Sequence, residues 1–127
     1  MLGLAAANKH LKVARWGETL ALWWLRWRGF KLEARNWRSR WGEVDLVVRK
    51  GCLVVFVEVK TRRSASAGPP ELAVTPAKQR RLARLAQAFC RGKQAAALSF
   101  RFDVVAVDLG KFPPKLRHYP GAFVLPS

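Results

Sequence analysis

Two valine-rich segments, residues 43–49 and 53–60, follow one another in the chain with only a short link around Gly51. Valine favours extended strands, and two such runs separated by so few residues are typical of a β-hairpin. The pair therefore restricts the chain to folds that have a β-sheet at their centre. Charged residues interrupt each run at alternate positions, so those residues share one side of their strand.

Helical patterns stand on both sides of this hairpin in the sequence. Residues 14–28 have helical periodicity, and we expect their tryptophan-rich stripe to be buried; it consists of Trp16, Leu20, Trp23 and Trp27. A second helix follows the Thr75-Pro76 cap. Further strands are predicted at residues 30–37 and 100–107, an edge strand near 122–125, and a flexible loop at 64–70.

The order of these elements is helix, three strands, helix, strand. It predicts an α/β fold with a central mixed sheet flanked by a helix on each face. A right-handed crossover makes the strand after the second helix parallel to one strand of the hairpin.

The length of 127 residues, half of them apolar, fits a single domain. We expect residues 1–12 to form a peripheral arm and residues 108–127 a peripheral tail. Cys52 and Cys90 lie in apolar surroundings without His or Cys neighbours and are predicted to be reduced core residues. No signal peptide is evident, and the longest apolar run is too short to span a bilayer. We therefore expect a cytoplasmic protein without a membrane partner.

The charge of the chain is strongly unbalanced. Lys and Arg number 24 and Asp and Glu only eight, which gives a net charge of +16. Such an excess favours polyanions, and nucleic acid is the leading expectation. The alternatives are a ribosome-associated protein, an anionic membrane surface, or a charge that serves solubility alone.

Because acids are so few, their positions carry information. Glu43 and Asp45 lie two residues apart on the first hairpin strand, and Glu58 and Lys60 on the second. A loop of two or four residues would place all four on one face, and a loop of three would divide them. Neighbouring carboxylates repel one another unless a cation lies between them, and Mg²⁺ or Mn²⁺ accepts such oxygen ligands. The alternative is that each acid simply pairs with a surface Lys or Arg.

The two hairpin strands also resemble a known signature. Their sequences are Gly42-Glu43-Val44-Asp45-Leu46-Val47 and Val55-Phe56-Val57-Glu58-Val59-Lys60-Thr61-Arg62. They resemble the YraN family of uncharacterised bacterial proteins, which is similar to the archaeal Holliday junction resolvases and to the PD-(D/E)xK nuclease superfamily. The likeness covers most of the chain. It implies a restriction-endonuclease-like core of order α-β-β-β-α-β.

The resemblance also implies roles for individual residues. Asp45 and Glu58 match the principal metal ligands, the backbone carbonyl of Val59 a further ligand, and Lys60 the catalytic lysine. Glu18, which lies on a mostly apolar line of the first helix, matches the acid that completes the site in resolvase-like members. The implied cofactor is Mg²⁺ or Mn²⁺, and a homodimer is a reasonable assembly.

The leading hypothesis is a metal-dependent nuclease that acts on DNA and recognises structure more than sequence. The alternative is a non-catalytic DNA- or RNA-binding module on a nuclease fold. Basic residues near the motif and the second helix are predicted to bind nucleic acid, and they are Arg38, Arg40, Arg62, Arg63, Lys78 and Arg81. Trp37 and Trp41 are candidates to stack on bases.

Asp103 has two readings, as a structural partner of Arg101 or as a residue at the margin of the site. His10 and His118 have no partners at catalytic or metal-ligand spacing, so we expect ordinary surface or packing roles for both.

Overall fold

A computed structural model of the chain describes residues 2–63, 75–91, 98–110 and 112–123. Its elements are α1 (Leu2–Trp27), β1 (Lys31–Ser39), β2 (Gly42–Lys50), β3 (Leu53–Arg62), α2 (Pro76–Cys90), β4 (Ser99–Asp108) and β5 (Lys115–Phe123). The strands form one sheet in the order β1-β2-β3-β4-β5. β3 and β4 are parallel and every other pair is antiparallel. The predicted mixed α/β fold is confirmed, and it is consistent with a restriction-endonuclease-like core.

Each face of the sheet is covered by one helix, as predicted. On one face, Leu25 of α1 packs in a cluster with Leu46, Val55 and other strand residues. On the opposite face, Leu85 of α2 packs in a second cluster that includes Phe56. We call these the α1 cluster and the α2 cluster. Neighbouring β3 residues contribute to opposite clusters because successive side chains of a strand point to opposite faces.

A two-residue turn, Gly51-Cys52, joins β2 to β3, because Lys50 pairs with Leu53. Gly51 has a φ of 60°, a left-handed conformation that glycine adopts without strain. The even loop length keeps alternate residues of the two strands in phase, which is one of the arrangements that the spacing allowed. Cys52 is exposed in this turn and only Cys90 is buried, so the prediction of two core cysteines was wrong for Cys52.

Several boundaries differ from the predicted ones. α1 begins at Leu2 and not at residue 14, so residues 2–12 belong to a helix. The edge strand of the tail is Lys115–Phe123, longer and earlier than predicted, because it pairs with β4 from Asp108 to Phe102. The loop predicted at residues 64–70 lies outside the described residues.

The expectation that the tryptophan stripe of α1 is buried was wrong. Trp16, Trp23 and Trp27 are exposed by 53%, 68% and 83%, respectively. The physical reason is the close approach of α1 to the sheet: a Cβ atom at Gly17 would collide with the side chain of Thr61. Indole rings do not fit in that gap, so the helix turns its smaller side chains inward, among them Ala21.

Within the described residues, no helix combines the length and apolar character that crossing a bilayer requires.

We predict that the two apolar stripes of α1 differ in their contribution to stability. Leu25→Ala removes a fully buried side chain and should lower the free energy of unfolding by about 2–5 kcal/mol. Trp23→Ala changes an exposed side chain and should alter it by about 0.5 kcal/mol or less. Urea unfolding of both variants measures the contrast. Equal losses would mean that Trp23 is packed in an interface.

Candidate active site

The site forms where β2 and β3 separate. Their backbone pairing runs from Lys50 with Leu53 to Leu46 with Val57 and ends there. Just beyond the last pair, the amide of Val59 donates a hydrogen bond of 2.7 Å to Oδ2 of Asp45. A side-chain oxygen thus replaces a backbone partner, and it fixes the Asp45 carboxylate between the two strands.

The regular alternation of side chains breaks at the same place. Strand alternation would place Val44 on the same face as Leu46, but Val44 packs in the α2 cluster whereas Leu46 packs in the α1 cluster. On β1, Asn36 lies between the paired residues Arg35 and Trp37 and has a φ of 51°, although the register with β2 is unchanged from Arg35 to Trp37. The left-handed backbone of Asn36 thus accompanies the break in the alternation of β2.

Four carboxylates meet at this break. Glu43, Asp45 and Glu58 line one groove together with Lys78 and Leu82 of α2. Glu18 of α1 is close enough to act electrostatically on Asp45. The structure therefore brings together the strand acids and the helix acid that the sequence singled out.

The environment of Asp45 makes it a weaker acid than usual. Burial raises its pKa from 3.8 to about 6, and the negative charges of Glu18, Glu58 and Glu43 raise it too, against the opposing effect of the Val59 amide. A carboxylate that is crowded by other carboxylates and partly withdrawn from water gains from any cation placed beside it.

Glu18 has an incompletely satisfied carboxylate. The residue is only 7% exposed, and its Oε1 atom lies buried without a hydrogen-bond partner in the described part of the chain. The nearest cation is Nε of Arg35 at 3.6 Å, which is an ion pair but too long for a hydrogen bond. Arg35 instead donates to the carbonyl oxygen of Arg15 and to the hydroxyl of Thr19. A buried acceptor without a donor is costly, so Glu18 is prepared for a ligand that is positive or donates a proton.

The two outer acids have loose partners. Arg38 lies 3.0 Å from Glu43, and both side chains are largely exposed. Lys78 lies 3.7 Å from Glu58. Thr75 places Lys78 in the first turn of α2 by accepting a hydrogen bond from its backbone amide, as the predicted cap requires. Exposed ion pairs of this kind are weak, and a stronger ligand can replace them.

The chemistry of these donors fits a hard divalent cation, because they are all carboxylate oxygens. Within the described ranges, no group of three His, Cys, Asp or Glu side chains stands close enough together to hold a metal ion as it is. The fit therefore rests on the type of donor, on the orphaned oxygen of Glu18 and on the crowding around Asp45, and not on a preformed ligand set.

Lys60 and Val59 follow Glu58 on β3, where they pair with Ala106 and Val105 of β4. Glu58 and Lys60, two residues apart, are both partly buried. Arg62 is half-buried at the end of the same strand, and Arg63, just beyond it, is exposed.

Further basic residues surround the groove. Arg81 is exposed on α2. Arg40 stacks on the ring of Trp41, and Arg84 of α2 stacks on the same ring. The sequence suggested Arg40 and Trp41 but not Arg84, because no sequence spacing connects residue 84 with residue 41.

Asp103 is a structural anchor. It is 1% exposed and accepts hydrogen bonds from Arg101 at 2.8 and 2.9 Å and from the amide of Gly121. His118 Nε2 lies 2.7 Å away, and since Arg28 donates to Nδ1 of that ring, Nε2 carries the proton and donates to Asp103. Burial raises the pKa of Asp103, but these hydrogen bonds outweigh it and the net shift is downward. Asp103 and His118 thus fasten β5 to β4.

The family profile that matches this chain and the relatives described below all have the same family name. The profile described as "Uncharacterised protein family UPF0102" matches residues 17–107. A UPF0102 protein of Anaeromyxobacter dehalogenans (strain 2CP-C) is 47% identical over 111 residues, or 87% of this chain and 83% of the relative. One from Syntrophotalea carbinolica is 44% identical over 115 residues, covering 91% and 94%. UPF0102 is the YraN family, so the family resemblance of the hairpin motif is confirmed.

We predict a pH dependence of stability that arises from Asp45. Between about pH 4 and pH 6 the folded protein retains a proton on Asp45 that the unfolded chain releases, so the contribution of Asp45 to the free energy of unfolding falls as pH rises. Asp45→Asn cannot ionise, so its free energy of unfolding should rise relative to that of the wild type across this pH window. Above the window the variant should be the more stable protein. Urea unfolding in chelator at several pH values measures the difference. A difference that does not vary with pH would mean that Asp45 is an ordinary solvated acid.

Proposed function

Since the chain belongs to the uncharacterised protein family UPF0102, we propose that it is a Mg²⁺- or Mn²⁺-dependent nuclease that hydrolyses phosphodiester bonds, with DNA as the first substrate to test. The observation that carries the proposal is the carboxylate cluster at the break between β2 and β3. The proposed location is the cytoplasm, where the nucleic acid is available.

The cluster is unusual for a chain of this charge. Of eight acidic residues in a protein of net charge +16, four line one groove, Glu43, Asp45, Glu58 and Asp103, and Glu18 acts electrostatically on Asp45. Their mutual repulsion weakens the folded state, although Glu18, Glu43 and Glu58 each have one basic residue within 4 Å. Perturbed and crowded acids of this kind are concentrated at functional sites.

Asp45, Glu58 and Glu18, with the carbonyl oxygen of Val59, would hold the cation. A bound divalent ion would supply charge neutralisation for the acids and for an approaching phosphodiester. The Val59 amide already fixes one oxygen of Asp45, which limits the rotation of that carboxylate. With a pKa of about 6, Asp45 is mainly ionised at neutral pH and able to act as a ligand.

Lys60 is the proposed catalytic lysine. It lies two residues after Glu58 on the same strand, so strand alternation supports a charge on the same face as Glu58. A positive charge there would stabilise the negative charge that develops on the phosphate oxygens as the attacking and leaving oxygens exchange. Its position beside the acids also favours orientation of the attacking water.

Substrate binding is proposed to depend on phosphate contacts and not on base readout. The net charge supports this, as do the exposed arginines at the end of β3 and on α2, Arg63 and Arg81. Phosphate contacts are shared by all sequences, so selectivity would come from the shape of the nucleic acid.

A second candidate function is a nucleic-acid-binding module without hydrolysis. It is favoured by one observation, the lack of a preformed group of three metal ligands within the described residues. In the nuclease the acids would hold the metal ion for cleavage, and in the binding module they would not. Variants of the acids distinguish the two functions.

We predict that duplex binding weakens steeply as salt increases. Each phosphate neutralised by Lys or Arg releases counterions, and the logarithm of the affinity then falls linearly with the logarithm of salt concentration. Fluorescence anisotropy with a labelled duplex between about 50 and 200 mM salt measures the slope. An affinity that does not change over this range would exclude phosphate contact as the main interaction.

We predict opposite binding effects for the acids and for Lys60. Asp45→Asn and Glu58→Gln should each abolish metal-dependent cleavage, and in chelator both should bind nucleic acid more tightly, because each removes a charge that repels the phosphate. Lys60→Ala should also lose cleavage, but its binding should weaken or stay unchanged. The measurement is a cleavage assay with Mg²⁺ or Mn²⁺ on duplex, single-stranded, flapped and four-way DNA and RNA, beside binding isotherms in chelator.

Glu33→Gln is the matched control for this experiment. Glu33 is an exposed acid on β1 that pairs with Arg49 at 3.9 Å, and it does not line the groove. It should cleave like the wild type. If the wild type cuts nothing and the two acid variants bind no more tightly than the control, the acids do not face a phosphate and the proposed nuclease is excluded. Tighter binding without any cleavage would identify the binding module.

A further inference from the structure

Two arginines from separate elements converge on one tryptophan ring. The guanidinium carbon of Arg40 lies 4.5 Å from the centre of the Trp41 ring, and that of Arg84 lies 4.7 Å from the same centre. Arg40 belongs to the turn between β1 and β2, whereas Arg84 lies on α2. Two like charges would normally avoid each other, so the shared aromatic ring defines where both of them stand.

The ring itself is fixed. The amide of Trp41 donates a hydrogen bond of 3.1 Å to the hydroxyl of Ser39, which holds the turn. The Trp41 side chain is half-buried and packs against the α2 cluster. Trp41 therefore acts as a rigid support that connects the turn to α2.

The guanidiniums of this pair differ from the other cations near the groove. Arg38 is paired with Glu43, Lys78 with Glu58, and Arg35 with Glu18. Arg40 and Arg84 are exposed, and neither has a carboxylate partner among the residues that the structure describes. Within that part of the chain, no carboxylate offsets their positive charge.

The pair also stands beside the acid cluster. Trp41 directly precedes Gly42 and Glu43, and the latter lines the groove. The side chain of Leu85, next to Arg84 in α2, comes within 3.9 Å of the position that a Cβ atom of Gly42 would occupy. Positive charge close to the groove would attract a polyanion bound at the acids.

We propose that Arg40, Trp41 and Arg84 form a clamp for the phosphodiester backbone of the nucleic acid, outside the hydrolytic centre. The inference rests on the proposed function for the identity of its ligand. A guanidinium that stacks through its face keeps its N–H groups at its edges, where they bind phosphate oxygens in pairs. Stacking also restricts each side chain before the substrate arrives, which lowers the entropy that binding costs.

The test compares variants of the clamp with variants of equal charge. Arg40→Ala/Arg84→Ala removes two charges at the clamp, and Lys12→Ala/Arg26→Ala removes two exposed charges from α1. Binding to labelled duplex DNA, single-stranded DNA and RNA is measured in chelator, so that cleavage plays no part. The clamp variant should lose about tenfold or more in affinity at low salt, and its log–log salt slope should fall by about 2, since each phosphate contact contributes about 0.9. The α1 variant should lose much less of both.

Substitutions of Trp41 provide a second test, because they change the stacking surface and not the charge. Trp41→Leu leaves the net charge unchanged but removes the stacking surface, so it should weaken binding several-fold, whereas Trp41→Phe retains a ring and should restore most of it. Thermal unfolding of each variant checks the fold. Since Arg40 and Arg84 are exposed, their double variant remains informative even where Trp41→Leu unfolds.

The outcomes separate this inference from the proposed function. If the wild type binds nucleic acid and the clamp variant matches the α1 variant, the clamp is excluded while the nuclease proposal stands. If the clamp variant loses affinity but the wild type cleaves nothing, the clamp stands as part of a binding module. If the wild type binds no nucleic acid at all, both proposals fail.

Discussion

The hydrogen bond from the Val59 amide to the Asp45 carboxylate holds β2 and β3 together at the point where their backbone pairing ends. Without it, two valine-rich strands would separate with unsatisfied polar groups at the centre of the sheet, which is energetically unfavourable. The bond also commits one oxygen of an acid to the fold. The acid cluster and the groove lie at this point, where a side chain takes the place of a backbone partner. Burial and the neighbouring acids raise the pKa of Asp45, and the bond itself lowers that pKa against them.

The electrostatics of the chain follow from how few acids it has. Several are used to hold cations in fixed places: Asp103 receives Arg101, Glu43 receives Arg38, and Glu58 receives Lys78. The buried Asp103 is satisfied from several sides and serves stability, while the buried Glu18 retains an oxygen without a donor. The two buried acids therefore differ in how many hydrogen-bond donors surround them. Several donors make Asp103 a structural anchor, and the lack of a donor to one oxygen makes Glu18 a candidate ligand.

The helix α1 has a different character on its two sides. At Gly17 its inner side approaches Thr61 so closely that a Cβ atom would collide with that side chain. Its outer side carries the exposed rings of Trp16, Trp23 and Trp27. The same helix delivers Glu18 to the acid cluster, so the closeness that excludes the tryptophans also brings the carboxylate to Asp45. The packing of this helix on the sheet therefore also decides which of its residues takes part in the site.

The sequence by itself determined the strands of the hairpin, the cap of α2, the order of the elements and the identity of the acids, because periodicity and local chemistry are readable within a few residues. It did not determine which stripe of α1 is buried, since both stripes are apolar and only the Gly17–Thr61 contact excludes the larger one. Nor did it reveal the position of Val44, the burial of His118 beside Asp103, or the meeting of Arg84 with Trp41. Each of these depends on contacts between residues distant in the chain, and such contacts exist only after the helices have packed on the sheet.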